Sequence, residues 1–128
     1  MHVSCAAEGE AYVAHSAAML HSAIAMRGAL EVQIHYLHSP RMSPRAAKLL
    51  HEMVEREGAA VSFVEVDDDR IAGLPTSALF TSAMWYRVYL PELLPDVDRV
   101  LYLDADAIAL DSLEPLWQPT STMHGSRR

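Results

Sequence analysis

Two carboxylates one residue apart, Asp104 and Asp106, directly follow a wholly apolar run, Val100-Leu101-Tyr102-Leu103. Such a run reads as a short buried strand with the carboxylates at its C-terminal end. In open α/β sheets, ligands bind outside the carboxyl ends of the strands. Both side chains can turn toward one hard divalent cation, and a cation held there can bridge to the phosphates of a nucleotide. This arrangement suits the binding and activation of a nucleotide-linked donor. The D-x-D pattern alone carries little, because Asp67-Asp68-Asp69 also contains it and reads more simply as a polar turn after a strand at Val61–Val66. On the pattern by itself, a solvated strand end remains an equal reading of Asp104 and Asp106.

The elements that must position these residues alternate between strand and helix. Val3–Ala7 reads as the first strand, and Tyr12–Arg27, rich in Ala and Met, as a helix stopped by Gly28. Val32–Leu37 is the second strand. Ser43 as N-cap, with Pro44 at the first helical position, opens a helix to about Glu57, and Gly58 ends it. Val61–Val66 is the third strand, and residues 67–78 read as a loop broken by Gly73 and Pro75. Thr81–Leu90 is predicted helical and halts at Pro91, with a further turn at Glu92–Leu94. Val100–Leu103 is the fourth strand and Asp111–Trp117 a short helix or turn. Strands joined by crossover helices form a parallel sheet with right-handed connections. The expected fold is therefore α/β, a Rossmann-like parallel sheet with crossover helices that cover Val100–Leu103 on both faces.

A length of 128 residues suits one domain, and 51% hydrophobic content predicts a packed core. The net charge of −7 argues against nucleic acid as a partner, since phosphate backbones are held by clusters of Lys and Arg. Cys5 is the single cysteine, which excludes an internal disulfide and a cysteine-rich zinc site and suits a reducing cytoplasm. It reads as a small buried apolar side chain. No basic segment precedes an apolar run at the N-terminus, and Ala11–Met26 is interrupted by His15-Ser16 and His21-Ser22, so neither a signal peptide nor membrane insertion is expected.

With these elements in order, the chain resembles the family 8 glycosyltransferases, retaining enzymes of GT-A fold that include lipopolysaccharide galactosyl- and glucosyltransferases and glycogenin. The resemblance runs from the first strand to Trp117. It rests on Cys5-Ala6-Ala7-Glu8, on Tyr12-Val13-Ala14-His15 with Leu20-His21-Ser22, and on Tyr86-Arg87 with Leu90-Pro91-Glu92-Leu93-Leu94-Pro95. Asp98-Arg99-Val100-Leu101-Tyr102-Leu103-Asp104-Ala105-Asp106 and Asp111-Ser112-Leu113-Glu114-Pro115-Leu116-Trp117 complete it. It implies that residues 1–117 are the nucleotide-sugar-binding, N-terminal half of a GT-A fold and that residues 118–128 are an unpatterned tail.

The resemblance assigns roles residue by residue. Asp104 and Asp106 would hold a manganese ion, or another divalent cation, against the diphosphate of a UDP-sugar donor, with Asp106 also near the ribose or sugar, and the intervening Ala105 would belong to the same donor-binding set. Arg87 would lie at the diphosphate, where a guanidinium can pair with phosphate oxygens bidentately. Ala6 and Ala7 would admit uracil close to their backbones, Glu8 would accept its imide hydrogen, and Tyr12 would stack on it. A saccharide is the implied acceptor. No catalytic nucleophile is identified, and a front-face mechanism needs none. The chain departs from the family in having Glu8 where Asp is usual and one extra residue between Glu8 and Tyr12. The family's second half also supplies a third metal ligand, a histidine, and a lysine for the diphosphate. His124-Gly125 does not read as a replacement. The chain alone is accordingly expected to be inactive, and to self-associate or to need a partner carrying that second half, because Val100–Leu103 would be left with an open edge.

Without the resemblance, blander readings stand beside each role. Arg87 can be a helix-surface charge paired with a carboxylate, Glu8 a loop carboxylate, and Tyr12 a residue packing a helix start. His15 and His21 lie about 120° from facing each other on a helix, which suits polar positions on a mostly buried helix better than a metal pair. Met19, Met26 and Met84 read as core filler. Two other functions share the motif. One is a haloacid-dehalogenase-like phosphohydrolase, whose D-x-D normally opens the chain and continues with Gly and Thr or Val, whereas Ala107-Ile108 follow here. The other is a remnant that binds nucleotide without transferring sugar.

Overall fold

The computed structural model of the protein describes residues 1–119, so His124 lies outside the described residues. His2–Ala7 form β1, Glu10–Ala25 α1, Gln33–His38 β2, Pro44–Arg56 α2 and Ala60–Glu65 β3. A single turn, α3, covers Asp68–Ile71. Ala83–Tyr86 (α4) pass through a 3-10 turn at Arg87–Tyr89 into Leu90–Leu93 (α5), and Leu101–Tyr102 (β4) and Glu114–Trp117 (α6) follow. All strand pairs are parallel, in the order β3-β2-β1-β4. The α/β class expected from the alternation of elements is the one observed.

Successive strand side chains point to opposite faces, and that alternation builds a core on each side of the sheet. Val3, Cys5 and Ala7 of β1, with Ile34 and Tyr36 of β2, pack against Met19, Leu20 and Ile24 of α1 and Leu50 and Val54 of α2. Ala6 and Leu37 point the other way, into a second core with Val66, Ala83, Tyr86 and Leu90. Inside the first core, the Tyr36 hydroxyl and Ser16 Oγ form a buried hydrogen bond of 2.7 Å, and Ser16 also bonds the Val13 carbonyl. Burial pushes the Cys5 thiol up to about 12, so it is protonated apolar filler rather than a nucleophile.

Three local expectations need correction. Helix α1 is not mostly buried: His15 and His21 are exposed together with Ala11, Ala14, Ala18 and Ala25, and its buried residues are Ser16, Met19, Leu20, Ala23 and Ile24. Alanine gains little from burial, so an alanine-rich helix reads as apolar while turning one face to water. His21 pairs with Glu57 at the end of α2. Second, Pro91 does not halt the helix. It lies in the first turn of α5, where its missing N–H is not needed, and the break falls earlier as the 3-10 turn. Third, α3 forms inside the predicted loop, with Asp67 capping it by accepting from the Asp69 N–H at 3.1 Å. Ser43 caps α2 as its type predicts, accepting from the Ala46 N–H at 3.1 Å.

Strand β4 pairs with β1 alone among the described residues, Leu101 opposite Val3 and Tyr102 opposite Ser4, and the Leu103 N–H adds a bond to the Ser4 carbonyl at 2.9 Å. Leu101 and Leu103 reach the first core, and Val100 and Tyr102 the second. Both faces are apolar as expected. The strand is nonetheless only half-buried, because its outer edge has no neighbour among the described residues.

The chain after β4 is tied to α1. The Ala109 N–H bonds Ser22 Oγ at 2.9 Å, the Leu113 N–H bonds the Met26 carbonyl at 2.8 Å, and the Ala29 N–H bonds Glu114 Oε1 at 3.0 Å. Gly28 makes the last contact possible. Its φ is +63°, and a Cβ there would stand 2.6 and 2.7 Å from the Glu114 carboxylate oxygens.

At the opposite end of the sheet, His2 Nδ1 and the buried His35 Nε2 lie 2.9 Å apart, joining β1 to β2. Burial first, then the neighbouring His2, lowers the His35 pKa below its ordinary 6.5. The unfolded chain therefore binds more protons than the folded one just below that value, and stability rises with pH there. The contribution is complete above pH 6.5 and is lost as pH falls through the lower folded value. The melting midpoint is expected to drop on acidification from pH 7 to pH 5, and His35→Gln to flatten that slope. Equal slopes in both proteins would remove His35 as the cause.

Candidate functional site

The order of the strands decides where a crevice opens. From β1 the chain steps outward through α1, β2, α2 and β3 on one face. It then returns over the opposite face through α4 and α5 to lay β4 on the other side of β1. The direction of winding thus reverses between β1 and β4, and a crevice at the carboxyl ends of the strands beside such a reversal is where ligands bind in this architecture.

A cleft of about 260 Å³ lies there. Ala6, Ala7, Glu8 and Tyr12 line it from the β1–α1 turn, Arg87 from the 3-10 turn, and Asp104, Ala105 and Asp106 from the end of β4. Every site residue named from the sequence is on its wall. A larger groove, about 450 Å³, runs between α1 and α2, but it is lined mainly by Val13, Ala17, Leu49, Leu50 and Met53 and lacks a comparable set of converging charges.

Two backbone devices aim these side chains. Gly9 sits at φ 84°, ψ 151°, a region open essentially to glycine alone, and lets the chain reverse from β1 into α1 immediately after Glu8. The Ala107 N–H bonds the Asp104 carbonyl at 3.0 Å, closing a tight turn. Ala105 is buried by this turn while Asp104 and Asp106 are exposed on the cleft side.

The charges in the cleft are open to solvent. Arg87 Nη1 stands 3.8 Å from Asp104 Oδ1, with side-chain exposures of 47% and 67%, so the pair is loose enough to be separated by a ligand. The same guanidinium lies 5.8 Å from the Tyr102 ring centre. Burial, and then the Asp104 charge, push the Tyr102 phenol up to about 12, so it is a neutral wall at physiological pH. Tyr12 is half-exposed on the cleft wall, its ring 6.0 Å edge-on from His15. The Asp104–Asp106 pair is a hard-oxygen donor set suited to a cation shared with phosphate oxygens. No group of three or more His, Cys, Asp and Glu side chains among the described residues forms a closed metal cage.

Two groups were not legible in the sequence. Arg41, on the loop after β2, bonds Glu8 Oε1 at 3.2 Å and both oxygens of Asp68, at 2.8 and 3.2 Å. Asp68 belongs to the acidic run that reads as a mere polar turn, and nothing in Ser39-Pro40-Arg41 marks the arginine. The only available signal was position, since residues following β2 must emerge beside those following β1. The second group is Tyr86, fully buried, whose hydroxyl has no hydrogen-bond partner among the described residues. Burial and then Glu8 push its phenol up to about 12.

This fold is that of an α/β domain with the GT-A arrangement of its parallel sheet. The family model for glycosyl transferase family 8 matches residues 3–124, and the chain belongs to that family. It is 32% identical over 118 residues to general stress protein A of Bacillus subtilis (strain 168), covering 90% of this chain and 40% of that one. It is 30% identical over 134 residues to probable galacturonosyltransferase-like 9 of Arabidopsis thaliana, covering 99% of this chain and 34% of the relative. Among solved structures it is similar to the galactosyltransferase LgtC in complex with donor and acceptor sugar analogs, with a TM-score of 0.83 and 28% identity over 93% of this chain and 42% of LgtC. The chain thus spans about two fifths or less of the length of these relatives. The family leaves no place for the phosphohydrolase reading. No described helix is long and apolar enough to cross a membrane.

Proposed function

We propose that residues 1–117 are the donor-binding half of a glycosyltransferase that takes a UDP-sugar and transfers its hexosyl group to a saccharide acceptor with retention of configuration. The observation that carries this reading is the meeting of three distant segments, Ala6–Tyr12, Arg87 and Asp104–Asp106, around one cleft where the winding of the sheet reverses. Ala6 and Ala7, whose small side chains are buried, let a flat base approach the backbone, while Glu8 accepts its imide hydrogen and Tyr12 covers its face. Arg87 swings from Asp104 to the diphosphate oxygens, a stronger pairing for an exposed guanidinium than one 3.8 Å contact. Asp104 and Asp106 would hold a divalent cation such as Mn²⁺, which when bound neutralises charge on the departing diphosphate. The acidic composition supports a small donor bridged by a cation over a nucleic-acid partner. The outer edge of β4, unpaired among the described residues, together with the exposed Ile108, Leu110 and Leu116 later in the chain, supports a covering partner, either further chain completing the sheet or a second copy.

Calorimetric titration of UDP into the protein, with Mn²⁺ and with EDTA, tests the reading. UDP is expected to bind at least about tenfold tighter with the metal, a difference of roughly 1.4 kcal/mol. Metal-independent affinity, or no binding at millimolar UDP, would refute it.

A further inference from the structure

We propose that Arg41 is a positioning residue that aims Glu8 at the base of the donor nucleotide and thereby sets a preference for uridine over cytidine nucleotides. The inference rests on the donor reading above and extends it to a residue outside the cleft wall. One guanidinium joins the carboxyl ends of three adjacent strands: Glu8 follows β1, Arg41 follows β2, and Asp68 opens α3 after β3. The Arg41 backbone is itself held, because its N–H bonds the Oγ of buried Ser39 at 3.3 Å and the Met42 N–H bonds the Ser39 carbonyl at 3.2 Å.

The consequence lies in which oxygen of Glu8 remains available. Arg41 occupies Oε1, and Oε2 has no hydrogen bond to any described residue. A glutamate has one more rotatable bond than an aspartate, so without a tether its carboxylate samples more positions and loses more freedom on binding. Arg41 removes that freedom beforehand and leaves one acceptor oxygen at the cleft. Uracil presents an N–H at its imide position and cytosine presents a lone pair at the same place. A fixed acceptor therefore favours uracil, and a mobile one discriminates less. A purely structural role would not produce this pattern, because exposed ion pairs such as Arg41–Glu8 contribute little to stability.

The test measures Mn²⁺-dependent affinities for UDP and CDP, with melting midpoints, in wild type, Arg41→Met, Arg41→Lys, Asp68→Asn and Glu8→Gln. Arg41→Met is expected to weaken UDP about tenfold while changing CDP by less than about twofold, narrowing the ratio at an unchanged melting midpoint. Arg41→Lys restores only part of the ratio, because an ammonium cannot fork across Asp68 and still reach Glu8. Asp68→Asn moves the ratio in the same direction by less. An unchanged UDP/CDP ratio in Arg41→Met overturns the inference, as does equal weakening of both nucleotides with a lowered midpoint. Glu8→Gln separates the failures. If it loses UDP while Arg41→Met does not, only the Arg41 role falls. If UDP binding survives Glu8→Gln, or wild type does not bind UDP, the reading of Glu8 fails and the Arg41 role with it.

Discussion

Asp104→Asn and Asp106→Asn together are expected to abolish the metal-dependent part of UDP binding. A lost outer-shell partner of a metal ligand costs about 10- to 100-fold in metal affinity, so losing both proposed ligands should weaken Mn²⁺ at least about 100-fold and leave UDP at its affinity in EDTA. The turn closed by the Ala107 N–H on the Asp104 carbonyl buries Ala105 and leaves a carboxylate exposed on either side of it. Both face the cleft, with Arg87 beside them. Neither side chain supports the core, so the double variant should melt as wild type does. Calorimetry with Mn²⁺ and UDP, beside a thermal melt, separates loss of the site from loss of the fold. Affinity retained within about threefold would remove the carboxylates from the donor site, given that ligand carboxylates dominate such a hard-cation set.

The polypeptide 1–128 assayed by itself is expected to form glycoside from a UDP-hexose at least about 10⁵-fold more slowly than a full-length family member, because transfer depends on holding two reactants in near-attack geometry. The cleft is open to solvent. Arg87 and Asp104 are solvent-exposed, and among the described residues no group of three metal-ligating side chains occurs and β4 bounds the sheet. On the donor reading proposed above, such a surface is expected to hold a donor without orienting an acceptor hydroxyl against it or excluding water. Slow hydrolysis of the donor is the expected residual activity. Product analysis with a range of saccharide acceptors distinguishes the outcomes. Robust glycoside formation would show that the acceptor is held in a way the open cleft does not suggest, and nucleotide binding with neither hydrolysis nor transfer would favour the non-catalytic alternative.

The sequence by itself determined the alternation of strand and helix and the α/β class, and its resemblance to family 8 pointed to the family and to eight of the residues that line the cleft. The alternation and the class are local features. Apolar runs, an N-cap such as Ser43, and carboxylates placed directly after a strand all act within a few residues, so their signal survives without coordinates. The exposed face of α1 was hidden because alanine is compatible with either environment, and the 3-10 turn at Arg87–Tyr89 because no residue type in that segment marks a break in the helix. Only the tertiary structure decided that Arg41 reaches both Glu8 and Asp68, residues 33 and 27 positions away in the chain. A contact of that kind depends on three strand ends being laid side by side in register, and no local preference of the residues concerned encodes it.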